Sequence, residues 1–207
     1  MQYNFSKFNL YDQIGYLVVG AYAILVVYLN VVYILSISLP FDISVLIVYF
    51  IISYILGHVI QGSVNLAGKI PILKFFFKEN KKDFNSYEKA VLKKARSLII
   101  DDEIQEHCDE SKVWSICNLF VLLRDTTGQI QVFNSNYGLY RGLYFTSFVQ
   151  VVFMLLVLFW QFSQNNFLLT LFFIFLLFVF LNRANRFWGY LRVKTLDLFL
   201  VLYQDKK

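Results

Sequence analysis

Sequence signatures of the common enzyme classes are missing from this chain of 207 residues. It has no glycine-rich phosphate-binding loop, no HExxH pair, no GxSxG elbow and no CxxC pair. It also lacks the Arg-x4–6-His spacing that is typical of helical ribonucleases of prokaryotic defence systems, since Arg96 precedes His107 by eleven residues. These absences argue against a hydrolase, and we expect the protein not to be an enzyme.

Cysteine and histidine are scarce, with two residues of each. His107 and Cys108 are adjacent and only Cys117 is nearby, which leaves too few ligands for a closed zinc shell. Acidic residues are missing from every long apolar run, so the chain offers no proton relay of the kind that a proton-coupled exporter needs. We expect no metal and no cofactor.

Apolar residues, in contrast, are abundant, because 58% of the chain is hydrophobic and 19% is aromatic, well above the norms of globular proteins. They form four long runs, at residues 14–38, 43–62, 142–161 and 167–181. The first three reach the about 20 residues that a helix needs to cross about 30 Å of hydrocarbon. The fourth reaches that length only by continuing toward Trp188. The pattern predicts an all-α membrane protein with four transmembrane helices.

The Lys and Arg residues predict the orientation, because short loops that carry them stay on the cytoplasmic side. The connections at residues 39–42 and 163–166 contain neither residue type. The chain has its basic residues elsewhere: Lys7 before the first run, twelve within 69–141 and six within 183–207. We therefore expect both termini and the segment 69–141 in the cytoplasm. That segment contains both cysteines, whose thiols stay reduced there and form no disulfide. We attribute the net charge of +5 mainly to attraction to anionic lipid, and expect no direct nucleic-acid binding.

These patterns divide the chain into four segments. Residues 1–68 hold the N-terminal segment and the first two transmembrane helices, and residues 69–141 form a helical cytoplasmic insert. Residues 142–181 hold the third and fourth transmembrane helices, and residues 182–207 form a C-terminal cytoplasmic helix. The insert and the C-terminal helix are too small for a large independent domain, so we expect them to pack on one another or on neighbouring subunits.

Two helices are predicted within the insert. One is capped by Ser86 and has apolar positions at helical spacing. The other covers residues 112–124, with Ser111 as its cap, and its apolar face is too wide to leave in water. We expect Trp114 and Phe120 in this face, together with Arg141, to bind a partner. No proline follows Gly128, so one long helix is predicted to run from the insert into the third span, while residues 70–77 suit the membrane interface.

Polar residues within the spans are the candidate functional residues, since they are costly in a membrane. His58, Gln61 and Asn65 are spaced i, i+3 and i+7 at the end of the second span and share one helix face. This stripe could line a pore mouth or bind a ligand or a lipid headgroup, and its histidine could sense pH. The alternative, hydrogen bonding between helices, is the commoner role of such residues.

Two further amides and two pairs of small residues concern helix packing. Asn30 and Gln150 each need a hydrogen-bond partner in hydrocarbon, so both are predicted to face the bundle or a subunit interface. Small residues four positions apart let helices pack tightly. The chain has two such pairs, Ser53 with Gly57 and Gly138 with Gly142. Together these features lead us to expect a homo-oligomer.

Two stretches carry a resemblance to a known family: YILGHVIQ at residues 54–61 and FNSNYGLYR at residues 133–141. With a helical insert between the second and third spans, the plan resembles the four-span membrane accessory proteins encoded beside RNA-targeting type VI CRISPR nucleases. The resemblance implies a bacterial inner-membrane protein that modulates, or acts downstream of, an RNA-guided RNA nuclease. It brings no established catalytic residues.

Three functions therefore remain open. The chain could be a defence accessory protein that assembles in the membrane and alters its permeability or the output of a nuclease. It could be an oligomeric ion channel unrelated to defence, with the second or third span lining the pore. It could also be a scaffold without a pore, whose insert recruits a soluble partner.

Overall fold

The computed structural model describes residues 10–34, 37, 45–71, 84–99 and 109–204, and within these residues it contains six α-helices and no strand. The helices are α1 (Leu10–Tyr33), α2 (Leu46–Ala67), α3 (Ser86–Ile99), α4 (Glu110–Arg124), α5 (Gln129–Trp160) and α6 (Gln164–Gln204). The prediction of an all-helical chain is confirmed.

Four of these helices, α1, α2, α5 and α6, are long and apolar enough to cross a membrane. They coincide with the four apolar runs of the sequence, so the prediction of four such helices is confirmed. At most a third of the residues in their apolar windows are buried within the chain. Most of their side chains therefore face outward, as expected for helices that contact lipid.

Helix α6 is longer than the sequence suggested. Its 41 residues include the fourth apolar run and the C-terminal segment as far as Gln204, without a helix end between Leu181 and Asn182. The polar stretch that follows the run contains Arg183 and Arg186, and arginine is a good helix former. The separate C-terminal helix of the sequence analysis is therefore the second half of one long helix.

The described residues belong to two compact units. The first, here called the span unit, comprises Met1–Lys78 and Ser135–Asn185, and the second, the insert–tail unit, comprises Glu79–Asn134 and Arg186–Lys207. Helices α5 and α6 each contribute one part to each unit.

The insert–tail unit has a hydrophobic core of its own. Its ten buried residues come from α3, α4, the first turn of α5 and the second half of α6, and they are Val91, Leu92, Ala95, Val113, Cys117, Val121, Ile130, Leu191, Leu196 and Phe199. The expected packing of the insert on the C-terminal segment is thus observed. Burial raises the pKa of the Cys117 thiol to about 12, so this cysteine is an inert core residue.

Polar contacts join α3 to α6 around this core. The Arg192 guanidinium donates to Glu88 Oε2 at 3.1 Å, and both side chains are at least nine-tenths buried. Nearer the surface, the Tyr87 hydroxyl donates to Asp197 at 2.6 Å, and the Tyr203 hydroxyl donates to the Leu98 carbonyl at 2.6 Å.

The caps of α3 and α4 differ from the predicted ones. Asn85, not Ser86, caps α3, because its side chain accepts from the Glu88 amide while the Glu88 carboxylate accepts from the Asn85 amide, a reciprocal capping box. Asp109, not Ser111, caps α4 by accepting from the Lys112 amide at 2.8 Å. In both cases an Asn or Asp just before the predicted serine is the cap, and since the three residue types are about equally good N-caps, propensity alone could not have distinguished them.

The turn between α4 and α5 is fixed by one carboxylate. Asp125 accepts from the amide and hydroxyl of Thr127 at 2.9 and 2.5 Å and from the Ile130 amide at 3.2 Å. Gly128 provides the positive φ of 70° that the turn needs before α5 begins. Burial raises the pKa of Asp125, but these hydrogen bonds outweigh it, and the net pKa lies below its ordinary value.

Two features discussed from the sequence lie outside the described residues: the part of the interfacial segment that follows Pro71, and the pair His107–Cys108. Within the described residues, no group of three His, Cys, Asp or Glu side chains could hold a metal ion.

Candidate functional site

The predicted polar stripe of α2 belongs to a larger set of polar contacts within the span unit. We call this set the polar belt, and it joins α1, α2 and α5 through the side chains Asp12, Gln13, Tyr16, Tyr54, His58, Gln61, Asn65, Ser135 and Arg141.

Two members of the stripe bind α5. Gln61 donates its side-chain amide to the Gly138 carbonyl at 2.6 Å, and Asn65 accepts from the Arg141 guanidinium at 3.0 Å. The spacing explains the match, because residues four apart on α2 meet residues three apart on α5, each pair lying on one helix face. Arg141, predicted to bind a partner, thus has one within its own chain.

The His58 ring packs against α1. The imidazole stacks on Tyr16 with ring centroids 3.9 Å apart and an angle of 26° between the planes, and Tyr54 packs edge-on against it at 4.7 Å. The Tyr54 hydroxyl in turn donates to the Gln13 side chain. These ring contacts hold the imidazole against α1, while more than a third of His58 stays exposed.

Helix α1 contacts α5 near its start and again near its middle. Toward the start of α1, the Ser135 hydroxyl donates to the Asp12 carboxylate. Further along, the hydroxyls of Tyr22 and Ser147 are hydrogen-bonded at 2.8 Å.

The two membrane amides that the sequence singled out are partners of each other. Asn30 donates to Gln150 Oε1 at 2.9 Å, and Gln150 donates back to Asn30 Oδ1 at 2.7 Å. Gln150 is only 3% exposed. The pair satisfies both amides within one chain, which is the bundle-facing alternative of the sequence analysis.

Small residues determine how closely α1 and α2 approach. A Cβ on Gly57 would lie 1.9 Å from the Tyr16 carbonyl oxygen, and a Cβ on Gly20 would lie 1.6 Å from the Ser53 carbonyl oxygen. Both distances are far below van der Waals contact, so neither glycine can be replaced without moving backbone.

In the second small-residue pair, Gly142 is tightly packed and Gly138 is not. A Cβ on Gly142 would lie 2.8 Å from the Gln61 side chain and 2.9 Å from Val19. A Cβ on Gly138 would meet nothing within 4 Å, and this residue contributes the carbonyl that Gln61 binds.

Sequence analysis does not find Asp12 and Gln13 of α1, because both precede Ile14, where the first apolar run begins. A signal for them exists in the sequence: Asp12, Tyr16, Val19, Val26 and Asn30 recur at helical spacing and share one face of α1. That face carries the contacts to α2 and α5, and two of its members, Val19 and Val26, are buried.

In the insert–tail unit, the predicted partner-binding aromatics contact α6. The Trp114 ring lies 5.6 Å from Trp188, and the Phe120 ring lies 5.3 Å from Phe199, with both side chains packed against the core. The opposite face of α4 is the exposed one. It carries an apolar stripe of Ile116, Leu119 and Leu123, and Leu119 and Leu123 are 60% and 74% exposed.

The same unit contains a groove between α3 and α4 of about 370 Å³. Its lining residues are Lys89, Ala90, Leu92, Lys93, Arg96, Glu110 and Val113.

Comparison with known proteins identifies no relative: no family model, no curated protein and no solved structure matches this chain.

Proposed function

We propose that this chain is a multi-pass inner-membrane protein of a bacterium that presents its insert–tail unit to a soluble cytoplasmic partner. In this proposal the partner is an RNA-guided RNA nuclease of a type VI CRISPR locus, whose output the protein modulates. The observation that carries the proposal is the hydrophobic core of the insert–tail unit. The segments 79–134 and 186–207, which lie before and after the third and fourth apolar runs, form this core together. The unit is therefore folded and can present a surface to a partner.

The distribution of charge supports the cytoplasmic location of this unit. Eighteen of the 19 basic residues lie within 69–141 and 183–207, and the connections at 39–42 and 163–166 contain none. Lys and Arg near membrane helices are retained on the cytoplasmic side.

The exposed stripe of α4 supports a protein partner. Ile116, Leu119 and Leu123 form a row along one face of a helix whose other face is buried in the core. A row of large apolar side chains on a folded unit in water marks an interaction surface. In this proposal the nuclease covers that row.

The test is co-purification of the full-length protein with an RNA-guided RNA nuclease encoded beside its gene. We expect Leu119→Ser with Leu123→Ser to abolish capture, and Val201→Ser, which changes a 54% exposed residue elsewhere in the unit, to preserve it. A gene neighbourhood without such a nuclease would reject the CRISPR assignment. Capture that survives the double substitution would reject the stripe as the partner surface.

An oligomeric pore is the second candidate, and the exposure of His58 favours it. This polar ring lies on an apolar helix with more than a third of its surface uncovered by its own chain. In a homo-oligomer the same ring from each copy would line the pathway.

Ion flux from liposomes that contain the purified protein tests this candidate. A pore predicts flux that His58→Ala alters and that Ser63→Ala leaves unchanged, since the neighbouring Ser63 hydroxyl donates to the Val59 carbonyl of its own helix. Liposomes that stay tight at all protein densities would reject an intrinsic pore.

A further inference from the structure

The span unit contains a notch of about 500 Å³ at the place where α1 ends and the chain turns from α5 into α6. Residues from the end of α1, from the turn and from the first turns of α6 line it. Its polar lining residues are Tyr33, Gln161, Ser163, Asn165 and Asn166. The notch thus brings five side chains that can form hydrogen bonds to one end of three apolar helices.

The described lining of this notch carries no charge. Residues 13–34 and 142–182, which supply it, contain no Lys, Arg, His, Asp or Glu. The first turn of α6 does not replace a cation, because the Ser163 hydroxyl already accepts from the Asn166 amide at 3.1 Å as its N-cap. A phosphate or carboxylate in the notch would lack a counterion, which is costly. The notch therefore suits an uncharged ligand.

The polar side chains of the notch offer both donors and acceptors. Within the described residues, the Tyr33 hydroxyl and the side-chain amides of Gln161 and Asn165 form no hydrogen bond. Asn166 is only 8% exposed, and it donates its side-chain amide to the Gln161 carbonyl at 3.3 Å, which leaves its Oδ1 atom as an acceptor. Amide groups can donate and accept at once, and so can hydroxyl groups. A ligand that carries several hydroxyls therefore matches this lining.

One wall of the notch is apolar and continues beyond it. Leu168 and Phe172 of α6 line the notch and are 55% and 51% exposed. Phe175 and Val179 follow on the same helix face and are also exposed. Because α6 is apolar enough to cross a membrane, hydrocarbon is the natural cover of this stripe. A ligand with both hydroxyls and an acyl chain fits the notch and the stripe together, whereas a free sugar fits the notch alone.

We propose that this notch binds the uncharged, hydroxyl-bearing headgroup of a membrane lipid such as a glycosyl diacylglycerol. Tyr33, Gln161 and Asn165 form hydrogen bonds with the hydroxyls of the headgroup. One acyl chain lies along Leu168 and Phe172. The proposal requires that the apolar helices lie in a membrane, and it is independent of the identity of the soluble partner.

The experiment uses the full-length protein in phosphatidylcholine nanodiscs that contain a minor fraction of glucosyl diacylglycerol or, separately, of phosphatidylglycerol with the same acyl chains. Native mass spectrometry of the released protein measures how far each lipid is enriched over its share of the bilayer. The test variant combines Gln161→Leu with Asn165→Leu, and the control combines Gln164→Leu with Asn182→Leu. All four amides are exposed, and the control pair lies outside the described lining of the notch. Size-exclusion chromatography verifies that each variant is folded.

We expect glucosyl diacylglycerol to be enriched about tenfold on the wild type, which corresponds to one or two net hydrogen bonds. The test variant should lose this enrichment and the control should keep it. Phosphatidylglycerol should be enriched on none of the proteins. Equal loss in the two double variants, loss in neither, or equal enrichment of phosphatidylglycerol would overturn the proposal.

Two further measurements distinguish a lipid from a free sugar. Phe172→Ser interrupts the apolar stripe and should reduce the enrichment of glucosyl diacylglycerol, whereas Phe178→Ser, at a 62% exposed position on another face of α6, should not. Methyl glucoside added in excess should not displace the bound lipid. Unchanged enrichment in Phe172→Ser, or displacement by methyl glucoside, would overturn the assignment to a lipid.

Discussion

The two units of this chain are held together by different interactions. In the span unit the buried apolar cluster is small, and the helices are joined by polar pairs such as Asn30–Gln150 and Gln61–Gly138 and by close packing at glycine. In the insert–tail unit ten buried side chains form one core, crossed by a single buried ion pair among the described residues.

The difference follows from the solvent that each unit is suited to. Between helices in lipid, apolar burial provides no driving force, because lipid tails are as apolar as leucine, so hydrogen bonds and close backbone contact stabilise the bundle. In water, burial of apolar surface is the dominant favourable contribution. The span unit is thus stabilised mainly by hydrogen bonds and close packing, and the insert–tail unit by apolar burial. Substitutions in the two units should have effects of different size and origin.

The largest effect is expected from the buried ion pair of the insert–tail unit. Arg192→Leu leaves the Glu88 carboxylate buried without its cation, which should cost about 3–5 kcal/mol of the free energy of unfolding. The fluorescence of Trp114 and Trp188, both of which pack on this core, reports the unfolding of the unit. The control Tyr87→Phe removes one exposed hydrogen bond between the same two helices and should cost less than about 1.5 kcal/mol. Equal costs for the two variants would contradict a special role of the buried pair.

Gly57→Ala should have the next largest effect, and it acts on the span unit. The added methyl would overlap the Tyr16 carbonyl, so α1 and α2 must separate, at a cost of about 1–3 kcal/mol. Gly62→Ala is the matched control, because Gly62 lies on the same helix and a Cβ there would meet nothing within 4 Å. Thermal inactivation in detergent, followed by size-exclusion chromatography, measures both. Alanine is the better helix former, so Gly62→Ala should lose no stability, and a loss comparable to that of Gly57→Ala would contradict the role of the contact with α1.

The amide pair should contribute less. A double-mutant cycle of Asn30→Leu and Gln150→Leu is expected to give a coupling energy of about 0.6–2 kcal/mol, as for other hydrogen bonds between membrane helices. The double variant should be more stable than the sum of the single losses predicts, because each single change leaves one amide buried without a partner. Additive losses would mean that the two amides do not depend on one another.

The sequence predicted the helical class and the four apolar helices, because runs of about 20 apolar residues have few other structural solutions. It also identified Asn30 and Gln150 as residues that need partners. It could not identify them as partners of each other, since the choice depends on how α1 and α5 are aligned. No local pattern encodes the pairing of two residues that lie 120 positions apart in the chain.

The functional reading of the α2 stripe illustrates the same limit. The spacing of His58, Gln61 and Asn65 predicts one shared helix face, yet spacing alone left a pore and a ligand site open beside the commoner role in helix packing. The structure supplies the partners: Tyr16, the Gly138 carbonyl and Arg141. For Gln61 and Asn65 the contacts are those of helix packing.

The smallest effect is expected from acid, which should destabilise the insert–tail unit through Asp125 and leave the span unit unaffected. Hydrogen bonds hold the pKa of this carboxyl below its ordinary value despite burial. The ionised form therefore stabilises the folded unit above the ordinary pKa of about 3.9, and this contribution is lost as the pH falls through the lower folded pKa. Asp125→Asn should cost about 1 kcal/mol at pH 6, the usual value of a helix cap, and less at pH 3.

Tryptophan fluorescence between pH 6 and pH 3 measures this prediction, with Asp109→Asn as the control, because Asp109 caps α4 from an exposed position. The difference in unfolding free energy between wild type and Asp125→Asn should shrink with falling pH, and a constant difference would contradict it. The amide pair of the span unit contains no group that titrates in this range, so the Asn30–Gln150 coupling energy should stay unchanged. Acid would then weaken the interactions of one unit and leave the characteristic interaction of the other intact.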